Sequence, residues 1–202
     1  VTKSANIIDL DGLVVPGLFP PEVIGTADFI APEVLKTKHL DIKDPQRILP
    51  NQKTDLHALA VLIYMYLLHR HPLRGGKIWD LDSEKDELLA MGEKALFIEH
   101  PTDTTNRVKT DQIRKWDFPW GDPNKLPYSI TGPYLSELFR RAFVEGLHNP
   151  MLRPIANEWE PALLKTVDLI QPCSNPSCSE KWYVFDNTSR PKCPFCGTPH
   201  QG

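Results

Sequence analysis

Residues 25–33 read GTADFIAPE, and this stretch decides how the rest of the chain is interpreted. Before it, residues 5–9 (ANIID) form a short apolar run that ends in an acidic residue, and Asp11 follows two positions later. After it, residues 54–70 carry apolar side chains at helical spacing, with Asp55 near the start. The pattern predicts a short buried strand, an acidic pair, a loop, an Ala-Pro-Glu corner and a long buried helix.

The composition is that of an ordinary globular protein. The chain has 202 residues, of which 41% are hydrophobic and 24% are charged. A net charge of -3 offers no general attraction to nucleic acid or to an anionic membrane. The longest apolar run, residues 58–68, is too short to span a bilayer. We therefore expect a cytoplasmic protein with neither a membrane nor nucleic acid as its partner.

Together these segments resemble the second half of a eukaryotic-type protein kinase domain, from the metal-binding aspartate of the activation segment onward. The resemblance covers residues 5–168, and it implies a mainly helical C-terminal lobe. It also implies transfer of the ATP γ-phosphate to Ser or Thr of a protein substrate. The family's phosphate-covering loop, ATP-binding lysine and catalytic loop all precede the position of Asp9 and are not found here. We therefore expect the C-terminal piece of a longer enzyme, inactive by itself.

The resemblance assigns the metal and nucleotide side of the chemistry to Asp9 and Asp11. In the family, the matching aspartate holds the magnesium that bridges the ATP phosphates, and two carboxylates suit such a hard cation. The family usually has Asp-Phe-Gly, whereas this chain has Asp9-Leu10-Asp11 and places glycine at Gly12. Without the downstream motifs, an Asp-Gly turn after a strand would explain the same residues. Residues 12–24 occupy the activation-loop position and contain no Ser, Thr or Tyr, so activity should not depend on phosphorylation there.

Four further residues take roles from the same resemblance. Thr26 matches a threonine that supports the catalytic aspartate in serine/threonine-directed members, although it could also be a simple turn residue. Glu33 closes the Ala-Pro-Glu corner and should pair with Arg153, which lies in the segment NPMLRP at residues 149–154. Asp55 matches the residue that braces the backbone of the catalytic loop. The roles of Glu33, Asp55 and Arg153 are structural.

The middle and end of the lobe are predicted to be helices separated by a long insertion. Amphipathic patterns predict helices over residues 80–97, 133–147 and 157–169. Residues 74–132 depart from ordinary kinases and carry Trp116, Phe118, Trp120 and Tyr128 among prolines and glycines. These aromatic residues either form a partner surface or pack back on the helices. His100 and Asp103 could suggest acid–base chemistry, or they could cap a turn.

The C-terminal residues carry a separate signal, a set of four cysteines at metal-ligand spacing. Cys173 and Cys178 form one pair, and Cys193 and Cys196 form the other, with residues 181–185 between them reading as a strand. Tetrahedral zinc accepts four thiolates from two such pairs, and a module this small needs a metal for stability. Two disulfides are the alternative. The sequence predicts a kinase-like lobe over residues 1–170 and a structural zinc ribbon over residues 171–202.

The combination of lobe, insertion and ribbon resembles one bacterial group of kinases. These are the kinases encoded beside a von Willebrand-type protein and a PP2C-like phosphatase in tellurite-resistance-associated clusters, the TerY-phosphorylation triad. The segment MGEKALFIEHP at residues 91–101 carries this narrower resemblance. It implies those two proteins as candidate partners. A pseudokinase scaffold, which binds partners through the insertion and the ribbon, is the alternative function.

Overall fold

The structure is a computed structural model, and it describes residues 25–185 and 191–200. Within these ranges the chain is mainly helical with one small two-stranded sheet, as the sequence predicted. The elements are α1 (Pro32–Thr37), α2 (Gln52–Leu68), α3 (Ser83–Met91), α4 (Pro133–Arg140), α5 (Ala156–Asp168), β1 (Ile170–Pro172) and β2 (Trp182–Val184). Short 3₁₀ helices form at Ala27–Phe29, Thr110–Gln112, Lys115–Asp117, Tyr128–Thr131 and Pro150–Leu152.

The longest helix, α2, begins earlier than the sequence predicted. Asn51 caps it, because the Asn51 side chain accepts a hydrogen bond from the Lys53 N–H at 2.8 Å. Thr54 completes the capping box, since its Oγ1 accepts a hydrogen bond from the Asn51 N–H at 2.8 Å. Thr54 therefore lies inside the first turn of the helix. The helix ends at Leu68, where His69 adopts a left-handed backbone with φ 53°.

The main hydrophobic core lies between α2, α4 and α5. Tyr64 of α2 is fully buried, and its ring meets the rings of Phe139 and Phe143 edge-on at centroid distances of 5.2 and 5.6 Å. Phe97 stacks on Phe143 at 5.3 Å, and Trp159 of α5 contacts Phe139 at 5.3 Å. Aromatic pairs of this geometry add to the stabilisation that area burial provides. A second buried cluster joins α1 to α3 and to Leu147.

Helix α2 is less buried than its apolar sequence predicted. It buries Ala60, Val61 and Leu68, but the side chains of Leu62 and Tyr66 are 53% and 81% exposed. The helix therefore packs on one side only within the described residues. The prediction that it is enclosed on all sides is wrong for this part of the chain, because nothing described here covers its other face.

The second and third predicted helices are shorter than expected. The pattern over residues 80–97 yields only α3, which Asp82 caps with hydrogen bonds from the Glu84 and Lys85 N–H groups. Gly92 then leaves the helical conformation, with φ -109° and ψ -116°. The pattern over residues 133–147 splits into α4 and a π-helical turn at Arg141–Glu145.

The C-terminal residues form a small unit that we call the four-cysteine module, residues 170–185 and 191–200. Strands β1 and β2 pair antiparallel, with Ile170 opposite Val184 and Pro172 opposite Trp182. Strand β2 confirms the strand predicted over residues 181–185. Strand β1 starts two residues after α5 ends, so the proposed boundary between residues 170 and 171 falls within β1.

Candidate functional site

Thr26 lies at the exposed start of the Ala-Pro-Glu corner. It precedes the 3₁₀ helix Ala27–Phe29, and its carbonyl accepts a hydrogen bond from the Phe29 N–H at 3.1 Å. Its side chain makes no capping hydrogen bond and is exposed to solvent. The hydroxyl can therefore reach a partner outside this segment, which is compatible with either of its two sequence interpretations.

An ion pair that sequence reasoning missed anchors the corner. Arg74 Nε donates to Asp28 Oδ1 at 2.6 Å, and Arg74 Nη2 donates to Glu87 Oε1 of α3 at 2.7 Å. His71 adds a second contact, because its Nδ1 accepts from the Leu73 N–H at 3.1 Å, which leaves Nε2–H to donate to the Asp28 carbonyl at 2.9 Å. Burial lowers the pKa of His71 and favours this neutral form. No local sequence pattern signals these contacts, since only the fold brings Arg74 to Asp28.

Arg153 lies against Glu33, as the resemblance implied. Its Nη1 donates to Glu33 Oε1 at 2.7 Å and its Nη2 donates to Glu33 Oε2 at 2.8 Å. Arg153 also donates to the carbonyls of Lys53, Gly146 and Leu147 at 2.9, 2.9 and 3.1 Å. The Arg153 side chain is only 1% exposed. One buried guanidinium thus holds the corner, the first turn of α2 and the segment before α5 together.

Asp55 lies on the open face of α2. The exposed residues Asp55, Leu62 and Tyr66 follow one another at spacings of seven and four residues, so they share one side of the helix. The Asp55 carboxylate is exposed and has no side-chain partner among the described residues, and partial burial raises its pKa. No contact among the described residues tests the bracing role of Asp55, which stays a prediction.

The expected magnesium and nucleotide ligands lie outside the described residues. Asp9 and Asp11 are both in residues 1–24, as is the loop without phosphorylation sites. Their roles therefore stay predictions from the sequence.

Four cysteine sulfurs converge in the four-cysteine module. The Sγ atoms of Cys173, Cys178, Cys193 and Cys196 all lie within 4.8 Å of one another. The Cys173–Cys196 and Cys178–Cys193 Sγ distances are 3.5 and 3.8 Å, and all four are free thiols. A disulfide would need about 2.05 Å, so the pairs are not bonded. The four cysteines together could bind a metal ion such as zinc.

The spacing of the sulfurs fits tetrahedral zinc. With Zn–S bonds of about 2.3 Å, the edge of the tetrahedron is about 3.8 Å, close to both measured distances. The backbone shapes this arrangement, because Gly197 N–H donates to the Cys193 carbonyl and Cys193 N–H donates to the Thr198 carbonyl, each at 2.8 Å. His200 is not a ligand, since its Nδ1 pairs with the Tyr183 hydroxyl at 2.9 Å.

The cysteines differ in how readily they lose a proton. Hydrogen bonds with the side chain and backbone of Thr198 lower the pKa of Cys196 to about 6. Burial raises the pKa of Cys193 to about 12. Metal binding therefore requires the loss of a proton from Cys193, whose thiol is harder to ionise than that of Cys196.

The structure of the insertion shows what His100 and Asp103 do and where the aromatic residues lie. Asp103 Oδ1 accepts hydrogen bonds from the N–H and the hydroxyl of Thr105 at 3.0 and 2.6 Å, and His100 Nδ1 accepts from the Asp103 N–H at 3.0 Å. This is turn capping rather than an acid–base pair. The aromatic residues of the insertion fall into two groups. Trp116 is 75% exposed, whereas Trp120 and Tyr128 pack against the main core.

His57 is a buried polar residue that sequence reasoning overlooked. It lies on α2, is 2% exposed, and neither ring nitrogen has a hydrogen-bond partner among the described residues. Burial, together with the nearby positive charge of Arg153 and the neighbouring His71 and His148, lowers its pKa to about 3. The sequence does carry a signal for it, because His57 lies among apolar residues at a position that the helical spacing places in the core.

Comparisons with protein-family models, with curated proteins and with solved structures found no match to this chain. None of the helices in residues 25–185 and 191–200 has the length and apolar character needed to cross a bilayer.

Proposed function

We propose that this chain is the C-terminal part of a serine/threonine protein kinase whose full-length form transfers the ATP γ-phosphate to a protein. The observation that carries the proposal is the bidentate contact between Arg153 and Glu33. It joins the two motifs, GTADFIAPE and NPMLRP, that the resemblance pairs. Arg153 also bonds the Lys53 carbonyl in the first turn of α2, so the same group positions the helix that carries Asp55.

The open face of α2 supports the proposal. Asp55 heads the face, and Leu62 and Tyr66 extend it as exposed apolar side chains. Neighbouring exposed apolar side chains of this kind suit contact with further protein. In the proposed enzyme, the catalytic loop packs there and Asp55 accepts hydrogen bonds from its backbone.

The proposed function assigns different roles to different residues of this chain. Asp9 and Asp11 would hold magnesium, which would supply positive charge to neutralise the phosphates of bound ATP. Thr26 supports the substrate side of the reaction from the start of the corner. Glu33, Asp55 and Arg153 position the lobe and do not take part in the chemistry.

Magnesium-dependent nucleotide binding by the full-length protein tests this function. Binding of ATP should tighten in the presence of magnesium, and Asp9→Asn should remove the magnesium effect because it removes a ligand charge. Asp41→Asn is the matched control, since Asp41 is an exposed turn residue whose carboxylate accepts the Lys43 N–H. Equal ATP binding by the Asp9→Asn and unaltered proteins would contradict the proposal.

We further propose zinc as the metal of the four-cysteine centre, in a structural role. Four thiolate ligands fill a tetrahedral zinc ion and leave no position for a substrate. The measured sulfur separations of 3.5 and 3.8 Å support zinc over two disulfides.

A pseudokinase scaffold is the second candidate, and two exposed aromatic residues favour it. Trp116 in the insertion and Trp182 on β2 are 75% and 58% exposed, and tryptophan is a frequent anchor of protein interfaces. The von Willebrand-type protein and the PP2C-like phosphatase implied by the narrower resemblance are the proposed partners. A scaffold would bind these partners yet show no magnesium-dependent binding of ATP.

A further inference from the structure

We infer that metal binding at the four-cysteine centre stabilises the buried network around Trp120 in the helical part of the chain, and that the contact between Phe195 and Trp120 couples the two. The inference rests on the proposed metal site and not on kinase activity. In this view the four-cysteine module stabilises part of the core when a metal is bound and is not an independent folding unit. We call this effect the metal-dependent clamp.

The module is joined to the helices without a flexible linker. Only Leu169 separates the end of α5 at Asp168 from the start of β1 at Ile170. The Leu169 carbonyl accepts a hydrogen bond from the Phe185 N–H at 2.8 Å, immediately after β2. A movement of the strands therefore acts directly on the last turn of α5.

Phe195 lies between two of the metal ligands, Cys193 and Cys196. Its ring contacts the Trp120 ring, with the centroids 5.4 Å apart. When one ion binds both flanking sulfurs, the backbone of Phe195 is fixed and its ring is held against Trp120. Without a metal, the four sulfurs are no longer held by one ion, and the backbone of Phe195 loses this constraint.

Trp120 connects this contact to a buried polar network. Its carbonyl accepts a hydrogen bond from Arg70 Nη1 at 2.7 Å, while Arg70 Nη2 forms an ion pair with Glu99 at 2.7 Å. The Arg70 and Glu99 side chains are 6% and 2% exposed. Tyr64 donates its hydroxyl proton to Glu99 at 2.5 Å, and Glu99 also accepts from the Tyr128 N–H at 2.8 Å. A buried ion pair depends on every one of its hydrogen bonds, so a displaced Trp120 weakens the network.

The junction between the module and the helices is incompletely filled. A cavity of about 270 Å³ lies between the module and the helices. Its walls include Leu67, Leu135 and Leu163 on the helical side and Trp182, Val184 and Phe195 on the module side. Phe195 contacts Trp120 beside this cavity, and Val184 lies close to Gly132.

Hydrogen exchange measured by mass spectrometry on the full chain tests the inference, with and without a zinc chelator. In the zinc-loaded protein, backbone amides in residues 64–70 and 118–128 should exchange slowly. Removal of zinc should speed their exchange about two- to tenfold, the effect of losing one aromatic contact. Exchange in α1, which lies outside this network, should not change.

Two variants separate the contact from metal binding itself. Phe195→Ala retains all four cysteines and should bind one zinc, yet its residues 64–70 and 118–128 should exchange fast whether or not zinc is present. Phe185→Ala removes an aromatic ring of the module that packs on His200 at 5.3 Å, and it should respond to zinc like the unaltered protein. Trp120→Leu, which changes no residue of the module, should behave like Phe195→Ala.

The outcomes distinguish this inference from the proposed metal site. Failure of the unaltered chain to bind zinc would overturn both. If zinc binds but its removal changes exchange only within residues 170–200, the metal site stands and the clamp is overturned. A Phe195→Ala protein that responds to zinc removal like the Phe185→Ala protein would also overturn it.

Discussion

Arg153 and Glu33 are 120 residues apart in sequence and form a two-pronged ion pair, with N–O distances of 2.7 and 2.8 Å. Arg153 makes three further hydrogen bonds to backbone carbonyls, so its five N–H donors meet acceptors from three segments of the chain. The planar guanidinium suits this arrangement, which lysine could not reproduce.

Arg153→Ala should therefore lower the free energy of unfolding by about 3–5 kcal/mol, because it leaves the Glu33 carboxylate without its partner. Urea denaturation followed by circular dichroism measures this change. Arg114→Ala is the matched control. Arg114 pairs with Asp117 on the surface, where its side chain is 67% exposed, and its loss should cost less than about 1 kcal/mol. Similar losses in the two variants would contradict the structural role of Arg153.

The buried His57 predicts a loss of stability in acid. Its pKa is lowered from 6.5 to about 3, so below pH 6.5 the unfolded chain binds a proton that the folded chain does not. Stability should be fully present above pH 6.5 and fall by about 1.4 kcal/mol per pH unit toward pH 3 from this group alone. Burial lowers the pKa of His71 and adds a change in the same direction.

The slope of the free energy of unfolding against pH, measured between pH 4 and 6, reports how many more protons the unfolded chain binds. In His57→Phe this number should fall by about one, so the slope should fall by about 1.4 kcal/mol per pH unit. Phenylalanine suits the site because His57 lies edge-on to Phe143 at 6.5 Å and has no hydrogen-bond partner among the described residues. His39→Gln, at an exposed position, should leave the slope unchanged. An unchanged slope in His57→Phe would show that His57 is not the group responsible.

Gly132 should tolerate no side chain. It has φ 85° and ψ 173°, a region that is nearly exclusive to glycine, and an added Cβ would lie 2.6 Å from Val184 Cγ1. Gly132→Ala should therefore lower the melting temperature more than Gly197→Ala. Gly197 also has a positive φ, 75°, but an added Cβ there meets nothing within 4 Å. Val184→Ala should rescue part of the Gly132→Ala loss by removing the clash, and no rescue would contradict the close approach of β2 to α4.

The four-cysteine centre predicts one zinc per chain. Atomic absorption on the purified protein should find it, and Cys178→Ser should abolish it because Cys178 is a buried ligand. Ser177→Ala is the control, since it alters the neighbouring residue and leaves the four sulfurs in place. A thiol reagent should react slowly until a chelator is added. Thiols that stay unreactive after both chelation and unfolding would instead indicate disulfides.

The sequence predicted those parts of the fold that depend on local pattern. The apolar spacing of α2, the cysteine spacing and the strand between the cysteine pairs each reflect nearest-neighbour chemistry. The end of α3 at Met91 was missed, because the apolar residues of 95–97 continue the helical period although Gly92 interrupts the helix. The pairing of Glu33 with Arg153 followed from the family resemblance, since a contact over 120 residues leaves no local signal.

The contacts that sequence reasoning missed are long-range and polar. Arg70 reaches Glu99 and the Trp120 carbonyl only after α2 has packed on the insertion. Arg74 reaches Asp28 only because α3 folds beside the corner. Charged residues in loops usually face solvent, so their burial depends on tertiary structure that periodicity does not report.

Phosphate transfer by the full-length protein tests the proposed function most directly. The protein would be incubated with γ-labelled ATP, magnesium and a mixture of candidate protein substrates, beside its Asp9→Ala and Asp41→Asn variants. We expect label on serine or threonine with the unaltered and Asp41→Asn proteins, and none with Asp9→Ala. Label incorporation that persists undiminished in Asp9→Ala, or its absence from all three proteins, would contradict a kinase that uses Asp9.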